Sequence, residues 1–415
     1  MDKPDPQAPA RDRGLWPGRY GRPDPEHHPG NLVTEADRPA EQGGRPQNLA
    51  GRARAALMSL LDAHHHGGGV GPDAYHAAPL AHPMAEGRFL AAAAIAAQTR
   101  LISQSQLRAM AEAALSRLNQ AALPFAGGIG WGLGFDYAAT DAREPFLITT
   151  AMIAEGLIEL TALLPDLPQA AELLDGSLGA IQTWCRTESV LNADLGIALP
   201  IYSPTVRRPI LNAAIYAISV HLRGQPDGLM ADEFRSQLCE IRALRQPGIG
   251  WSDDPASPVI DLLHQCFILN SLSAGLPADQ RDRAAEDLAL VETMSLFSAA
   301  PGFLDTASLV AKPELPPAGG TALLRVGDAY LAIKPNPARL WSLGELLVTL
   351  SGRIADRVDG RSDRWRGYAA PVCEAVLMRL AAGDGEALYP RQRMYAAFGL
   401  ARFMAAIRQG TGVGA

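Results

Sequence analysis

FLITTAMIAEGLIELTAL, residues 146–163, and PQAAELLDGSLGAIQTWCRT, residues 168–187, follow one another and differ in kind. Wound into helices, the first is apolar almost all the way round, whereas the second carries its charges and amides along one face. A helix apolar on every side must be buried, and one with a polar stripe lies at a surface. The contrast recurs along the chain. Striped blocks fall at 50–62, 105–119, 168–187, 231–245, 278–298 and 368–382, and apolar blocks at 86–100, 146–163, 209–223, 259–275, 340–356 and 392–408. Six of each in strict alternation is what an outer ring around an inner ring requires. The pattern therefore predicts an all-α fold, an (α/α)6 toroid of six helical hairpins over residues 49–410. One stretch breaks the rhythm: TALLRVGDAYLAIK, 321–334, reads as two short strands around Gly-Asp, a small β-hairpin excursion before the fifth inner helix.

Composition bounds the rest. The 415 residues are 47% hydrophobic and 20% charged, an ordinary globular balance with enough apolar material for a large core. The net charge of −7 disfavours nucleic acid or an anionic membrane as main partner. No run reaches the roughly 18 apolar residues of a membrane helix, and the N-terminus has no apolar leader stretch. Cys185, Cys239, Cys266 and Cys373 lie far apart without metal-ligand spacing, which suits free thiols in a reducing, cytoplasmic setting. Residues 1–48, rich in Pro, Gly, Arg and Asp, are expected to form a disordered tail.

Polar and aromatic residues concentrate in the loops before the apolar blocks: GIGWGLGFDYAATDAREPF, IYSPTVRRP, GIGWSDDPASP and LYPRQR. In a toroid those loops meet at one end of the inner ring, so their side chains would face a single funnel. The word GIGW occurs twice there, at 128–131 and 248–251, and the glycines allow exposed positions for Trp131 and Trp251. Rings for stacking beside carboxylates and guanidinium groups for hydroxyls suit a saccharide, and carboxylate or His pairs suit acid–base work.

At these residues the sequence resembles the six-hairpin toroid proteins of bacterial capsule and exopolysaccharide biosynthesis, and more distantly the unsaturated glucuronyl hydrolases and glucuronyl C5-epimerases. The resemblance rests on Trp131 to Tyr137 followed by Pro145 to Thr150, on Asn212-Ala213-Ala214, and on Trp251 followed by Ile260-Asp261-Leu262-Leu263-His264 through Leu269. It spans about 55–280, with a weaker echo to 408. The word Gly134-Phe135-Asp136 lacks the second Trp of such proteins, and the dense carboxylates of the hydrolases are thin here. The resemblance implies a glycan-active enzyme of polysaccharide biosynthesis that carries out hydrolysis, elimination or epimerisation.

Each candidate residue has a structural alternative. Asp136 and Tyr137 read as a catalytic acid with a sugar platform, or as a loop cap. Asp261 and His264, one helical turn apart, read as a base and its orienting carboxylate, or as a pair satisfying each other. Asp253 and Asp254 read as substrate carboxylates or as an Asx turn. Tyr202, Arg207, Asn212 and Arg393 complete the substrate-binding set, Arg207 as a clamp or a solvated loop cation and Asn212 as a hydroxyl ligand or a cap. Tyr75 and His76 are expected at the funnel rim. His64-His65-His66 before three glycines reads as a flexible loop, since consecutive histidines cannot all face one ion. No metal site and no cofactor is expected, and nothing sets the oligomeric state. The alternatives to an enzyme of this kind are a non-catalytic saccharide-binding toroid and a terpenoid cyclase, whose Asp-x-Asp-Asp acid is incomplete at Ser252-Asp253-Asp254.

Overall fold

The computed structural model describes residues 46–73, 76–136, 140–192, 196–252, 259–299, 302–310, 322–326, 329–333, 337–356, 361–383 and 388–410. Among them lie twelve α-helices in six outer–inner pairs: α1 (Pro46–Gly67) with α2 (Pro83–Gln98), α3 (Gln104–Ala121) with α4 (Leu147–Leu163), and α5 (Pro168–Thr187) with α6 (Leu211–Gly224). The second half repeats the arrangement with α7 (Ala231–Ala243) and α8 (Leu262–Gly275), α9 (Arg283–Phe297) and α10 (Leu340–Ala355), and α11 (Ser362–Ala382) and α12 (Pro390–Gly410). The alternation of blocks is thus an alternation of helices. In α4 every residue from Leu147 to Leu157 is buried, whereas α5 buries the stripe Ala170, Leu173, Ser177, Leu178, Ile181 and Trp184.

The even-numbered helices close the inner ring. α2 packs on α4, α4 on α6, α6 on α8, α8 on α10, α10 on α12, and α12 returns to α2. The odd-numbered helices lie outside against them, so the inner helices all run in one direction and their N-termini share one end of the ring. Glycines set two of the inner contacts. A Cβ on Gly87 would lie 2.7 Å from the Met152 carbonyl oxygen, and one on Gly344 would lie 2.5 Å from that of Tyr395. Backbone meets backbone there, and α2 with α4 and α10 with α12 are drawn together.

Three features differ from expectation. The β structure is larger than one hairpin: β11 (Ala322–Val326) and β12 (Ala329–Ile333) do pair, but β12 also pairs with β10 (Thr306–Val310), and β10 with β7 (Val259–Asp261). Short hairpins precede three inner helices, β1 (Val70–Asp73) with β2 (His76–Ala81), β3 (Leu123–Phe125) with β4 (Gly128–Gly130), and β5 (Ser189–Asn192) with β6 (Ile197–Pro200), while β8 (Ser298–Ala299) pairs with β9 (Gly302–Phe303) after α9. Their two-to-six-residue strands are too short for a period-two pattern to stand out. Second, α1 begins at Pro46, inside the span assigned to the tail, whose residues 1–45 lie outside the described residues. Third, His64, His65 and His66 are the last turn of α1 rather than a loop. His64 is buried, its Nε2 3.3 Å from Glu86 and its ring against Phe89, and Glu86 is held on its other side by Arg117. No helix among the described residues is long and apolar enough to cross a membrane.

Candidate functional site

The two GIGW words build the same joint twice. Trp131 is fully buried; its indole N–H donates to the Leu118 carbonyl (2.8 Å) near the end of α3, and its backbone N–H to Thr150 Oγ1 (3.2 Å) in the first turn of α4. Trp251 is buried as well, donating from Nε1 to the Ile241 carbonyl (2.9 Å) near the end of α7 and from its backbone to Gln265 Oε1 (2.9 Å) in the first turn of α8. Thr150 and Gln265 are each the fourth residue of their helix. Each indole therefore ties the end of an outer helix to the start of the next inner one, and Gly250, at φ +95°, lets the Gln265 amide reach the backbone. The expectation that these rings stand exposed is corrected: a satisfied indole in a packed joint leaves no face for a ligand.

The remaining candidates divide. Asp136 is an exposed loop carboxylate whose Oδ1 accepts from the Ala142 backbone (2.8 Å), the capping alternative. Arg207 is exposed and pairs with Glu188 (3.1 Å). Tyr202 is half-buried, edge-on to Phe146, and Asn212 is buried as the second residue of α6. Arg393 lines a cleft beside α1. Tyr137, Asp253 and Asp254 lie outside the described residues, as does Tyr75; His76 opens β2.

Asp261 and His264 sit together at the start of α8, with a geometry that differs from the expected one. Asp261 is the N-cap, and its Oδ1 accepts from the His264 backbone N–H (3.2 Å), while the His264 ring nitrogen Nδ1 is 4.0 Å away. The carboxylate fixes the helix start that carries the imidazole rather than gripping the ring. The His264 side chain stays 26% exposed at the mouth. Asp261 has a partner that sequence reading missed. Arg339 donates from Nη2 to Asp261 (3.1 Å) and pairs through Nε with Asp305 (2.6 Å). Asp305 is buried, and also accepts from Ser342 Oγ (2.6 Å) and the Arg339 backbone (3.2 Å). It reaches this place because β10 pairs with β7, setting Thr306 opposite Asp261. Burial, and then the Asp261 charge, push the Asp305 carboxyl above its usual range, against the pull of Arg339 and Ser342.

The mouth continues around the ring through aromatic and cationic groups. The Arg339 and Arg391 guanidinium groups lie over the Trp341 ring at 4.4 and 4.7 Å, and Arg391 pairs with Asp73 of β1 (3.0 Å). His82, buried at the start of α2, has Nε2 3.1 Å from the Gly71 carbonyl, which can only accept, so that nitrogen carries the proton. Burial lowers its pKa and keeps the ring neutral. Four buried polar atoms in this first turn have no hydrogen-bond partner among the described residues: Thr149 Oγ1, Asn212 Oδ1, Trp341 Nε1 and Arg391 Nε. Buried polar atoms are rarely left unsatisfied, and such a set at the mouth marks a place where a polar ligand or water belongs.

Beneath the mouth the axis is filled in layers. The sixth residues of the six inner helices are Arg88, Met152, Tyr216, Phe267, Glu345 and Tyr395, about 8 Å below the helix starts at 1.5 Å per residue. Arg88 has no exposure and lies over the rings of Phe398 (4.6 Å), Tyr395 (4.9 Å), Tyr216 (5.5 Å) and Phe267 (5.9 Å). It donates to Glu155 (2.5 Å) and Glu345 (3.1 Å); Glu155 also takes Arg223 (2.6 Å) and the Tyr216 hydroxyl, and Glu345 takes Asn270 (3.1 Å). Glu159 closes the lower end between Arg223 and Arg402, each at 2.7 Å. Burial would raise both carboxyls that flank Arg88. It wins at Glu345, which is pushed up, while Arg88, Arg223 and Arg402 hold Glu155 down at about 2. The network locks all six inner helices and fills the axis of the ring below their first turns.

No protein-family model matches the sequence, and no curated protein matches it. Solved structures match the fold, two of them sugar epimerases. A cellobiose 2-epimerase from Bacillus thermoamylovorans B4167 superposes with a TM-score of 0.54 at 10% identity, covering 85% of this chain and 99% of its own. A sugar epimerase from a ruminal bacterium gives 0.57 at 12% identity, covering 88% of this chain and 100% of its own. At such identities the likeness establishes the fold, and the chain is an α/α toroid of the same architecture as these two sugar epimerases.

Proposed function

We propose that the protein is a carbohydrate-acting enzyme that epimerises a saccharide by removing and returning a carbon-bound proton at the N-terminal mouth of the inner ring. The observation that carries this reading is the set of unpartnered buried atoms of Thr149, Asn212, Trp341 and Arg391, which offers donors and an acceptor suited to a polyol, beside the partly exposed His264 imidazole. The two epimerases of like architecture support the reaction class. In this reading His264 is the base, and Asp261 with Arg339 and Asp305 fixes its place. His82, protonated on Nε2, offers a lone pair on Nδ1 as a second acid–base group. The donors of Thr149, Trp341 and Arg391 take the sugar oxygens, including one that gains charge as the proton leaves. A role in polysaccharide biosynthesis rests on the resemblance of the Trp131 to Tyr137 and Ile260 to Leu269 words.

The test is incubation with a panel of neutral and uronic mono- and disaccharides in D2O, followed by NMR. Epimerisation replaces one C–H by C–D and produces a new anomeric signal; elimination gives an alkene proton, and hydrolysis gives new reducing ends without exchange. His264→Asn is expected to lower the exchange rate by about 10²–10⁴-fold, the usual worth of a general base. Exchange that survives this change refutes the role of His264. Saccharide binding with no turnover in the wild type refutes the enzyme and leaves a sugar-binding toroid.

A further inference from the structure

We propose that Arg393 holds a small inorganic anion, of halide size, in the cleft between the end of α1 and the start of α12. The cleft measures about 40 Å³ and is lined by Ala63, His64, Gly67 and Gly69 on one side and by Pro390, Arg393 and Met394 on the other. That is room for two or three water-sized groups and too little for a sugar ring. Arg393 is half-buried, and no side chain among the described residues forms an ion pair or hydrogen bond with its guanidinium. This sets it apart from the other desolvated arginines. Arg88, Arg223 and Arg281 face carboxylates that raise their pKa values, whereas at Arg393 burial acts alone and lowers it. A cation taken partly out of water without a counter-charge is costly, and a bound anion removes that cost.

The surrounding charges agree. Glu86 packs against His64 and Gly69 of the lining, and Arg117 already holds both of its oxygens at 2.8 and 2.9 Å. Arg117 thus takes up the Glu86 charge, and Arg393 is left without a counter-charge among the described residues. The proposed reaction uses none of the residues that line the cleft, so the anion site stands or falls independently of it.

Crystals of the full chain soaked in bromide are expected to show an anomalous peak within about 3.5 Å of the Arg393 guanidinium, the reach of a charge-assisted contact. In thermal melts at constant ionic strength, replacing gluconate by chloride at tenfold its Kd should raise the wild-type melting temperature by about 2 °C. Arg393→Met should lose that increment while melting cooperatively in gluconate, and Arg393→Lys should keep part of it. A bromide map empty at Arg393, or a chloride increment equal in the wild type and Arg393→Met, overturns the proposal.

Discussion

Replacing Glu155 by Gln tests the axial network at its most heavily bonded point. The Glu155 carboxylate accepts from Arg88 (2.5 Å), Arg223 (2.6 Å) and the Tyr216 hydroxyl. Burial alone would raise its pKa, yet these cations hold it at about 2, against 4.5 when unconstrained. A folded-state pKa below the unfolded one contributes stability that is present above the unfolded value and is lost as pH falls through the folded one. At 1.36 kcal/mol per pKa unit the shift corresponds to about 3 kcal/mol at neutral pH, in line with the cost of breaking a buried ion pair. Glutamine keeps the shape and one acceptor but abolishes the charge. We therefore expect Glu155→Gln to lose about 3 kcal/mol at pH 7, and progressively less below pH 4.5 as the wild type gives up its own advantage toward pH 2. Chemical denaturation of both proteins at pH 7, 5, 4 and 3, with far-UV circular dichroism, measures the difference directly. A penalty equal at pH 7 and pH 3, or no penalty at pH 7, would refute the electrostatic account of the axis and leave simple packing in its place.

Asp305→Asn should behave in the opposite sense. The Asp305 pKa is raised, so its ionisation costs stability as pH climbs from the unfolded 3.8, and the variant should gain on the wild type between pH 4 and 7 in the same denaturation series. Gly344→Ala places a Cβ 2.5 Å from the Tyr395 carbonyl oxygen, which is backbone and cannot swing aside, so α10 and α12 must part. A loss of about 1–3 kcal/mol in thermal or urea unfolding is expected. Trp251→Phe removes the donor to the Ile241 carbonyl and should cost about 1–3 kcal/mol, with Trp131→Phe costing a similar amount through Leu118 if the two joints are equivalent. Unequal losses in these two variants would show that the repeated word does not perform one task twice.

The fold was legible because ring membership is written in each helix separately. Burial on every side or on one stripe is a local property of a block such as 146–163 or 168–187, and it needs no knowledge of the partners. The site was less legible, since its parts are defined by neighbours distant in the chain. Asp305 and Arg339 carry no sequence signal of their own, and come beside Asp261 only because β10 pairs with β7. Trp131 and Trp251 misled for the converse reason: a glycine-flanked indole before an apolar helix looks the same whether it faces a ligand or a carbonyl of the preceding helix.

The axial network, by contrast, had a signal that could have been read. Arg88, Glu155, Glu159, Arg223, Glu345 and Arg402 all interrupt blocks otherwise rich in apolar residues, where an ionisable side chain must find a partner. When the inner helices are aligned on their first residues, Arg88 and Glu345 share the sixth place, and Glu159, Arg223 and Arg402 share the thirteenth. Three cations and three anions, at places one and two turns apart on parallel helices, can meet only along the ring axis. That axis is filled from the sixth residue downward, which leaves about one and a half helical turns between the filled layer and the helix starts. In the proposed reading a saccharide meets the first turns and the loops before them, which is where His264, Asn212, Thr149, Trp341 and Arg391 stand.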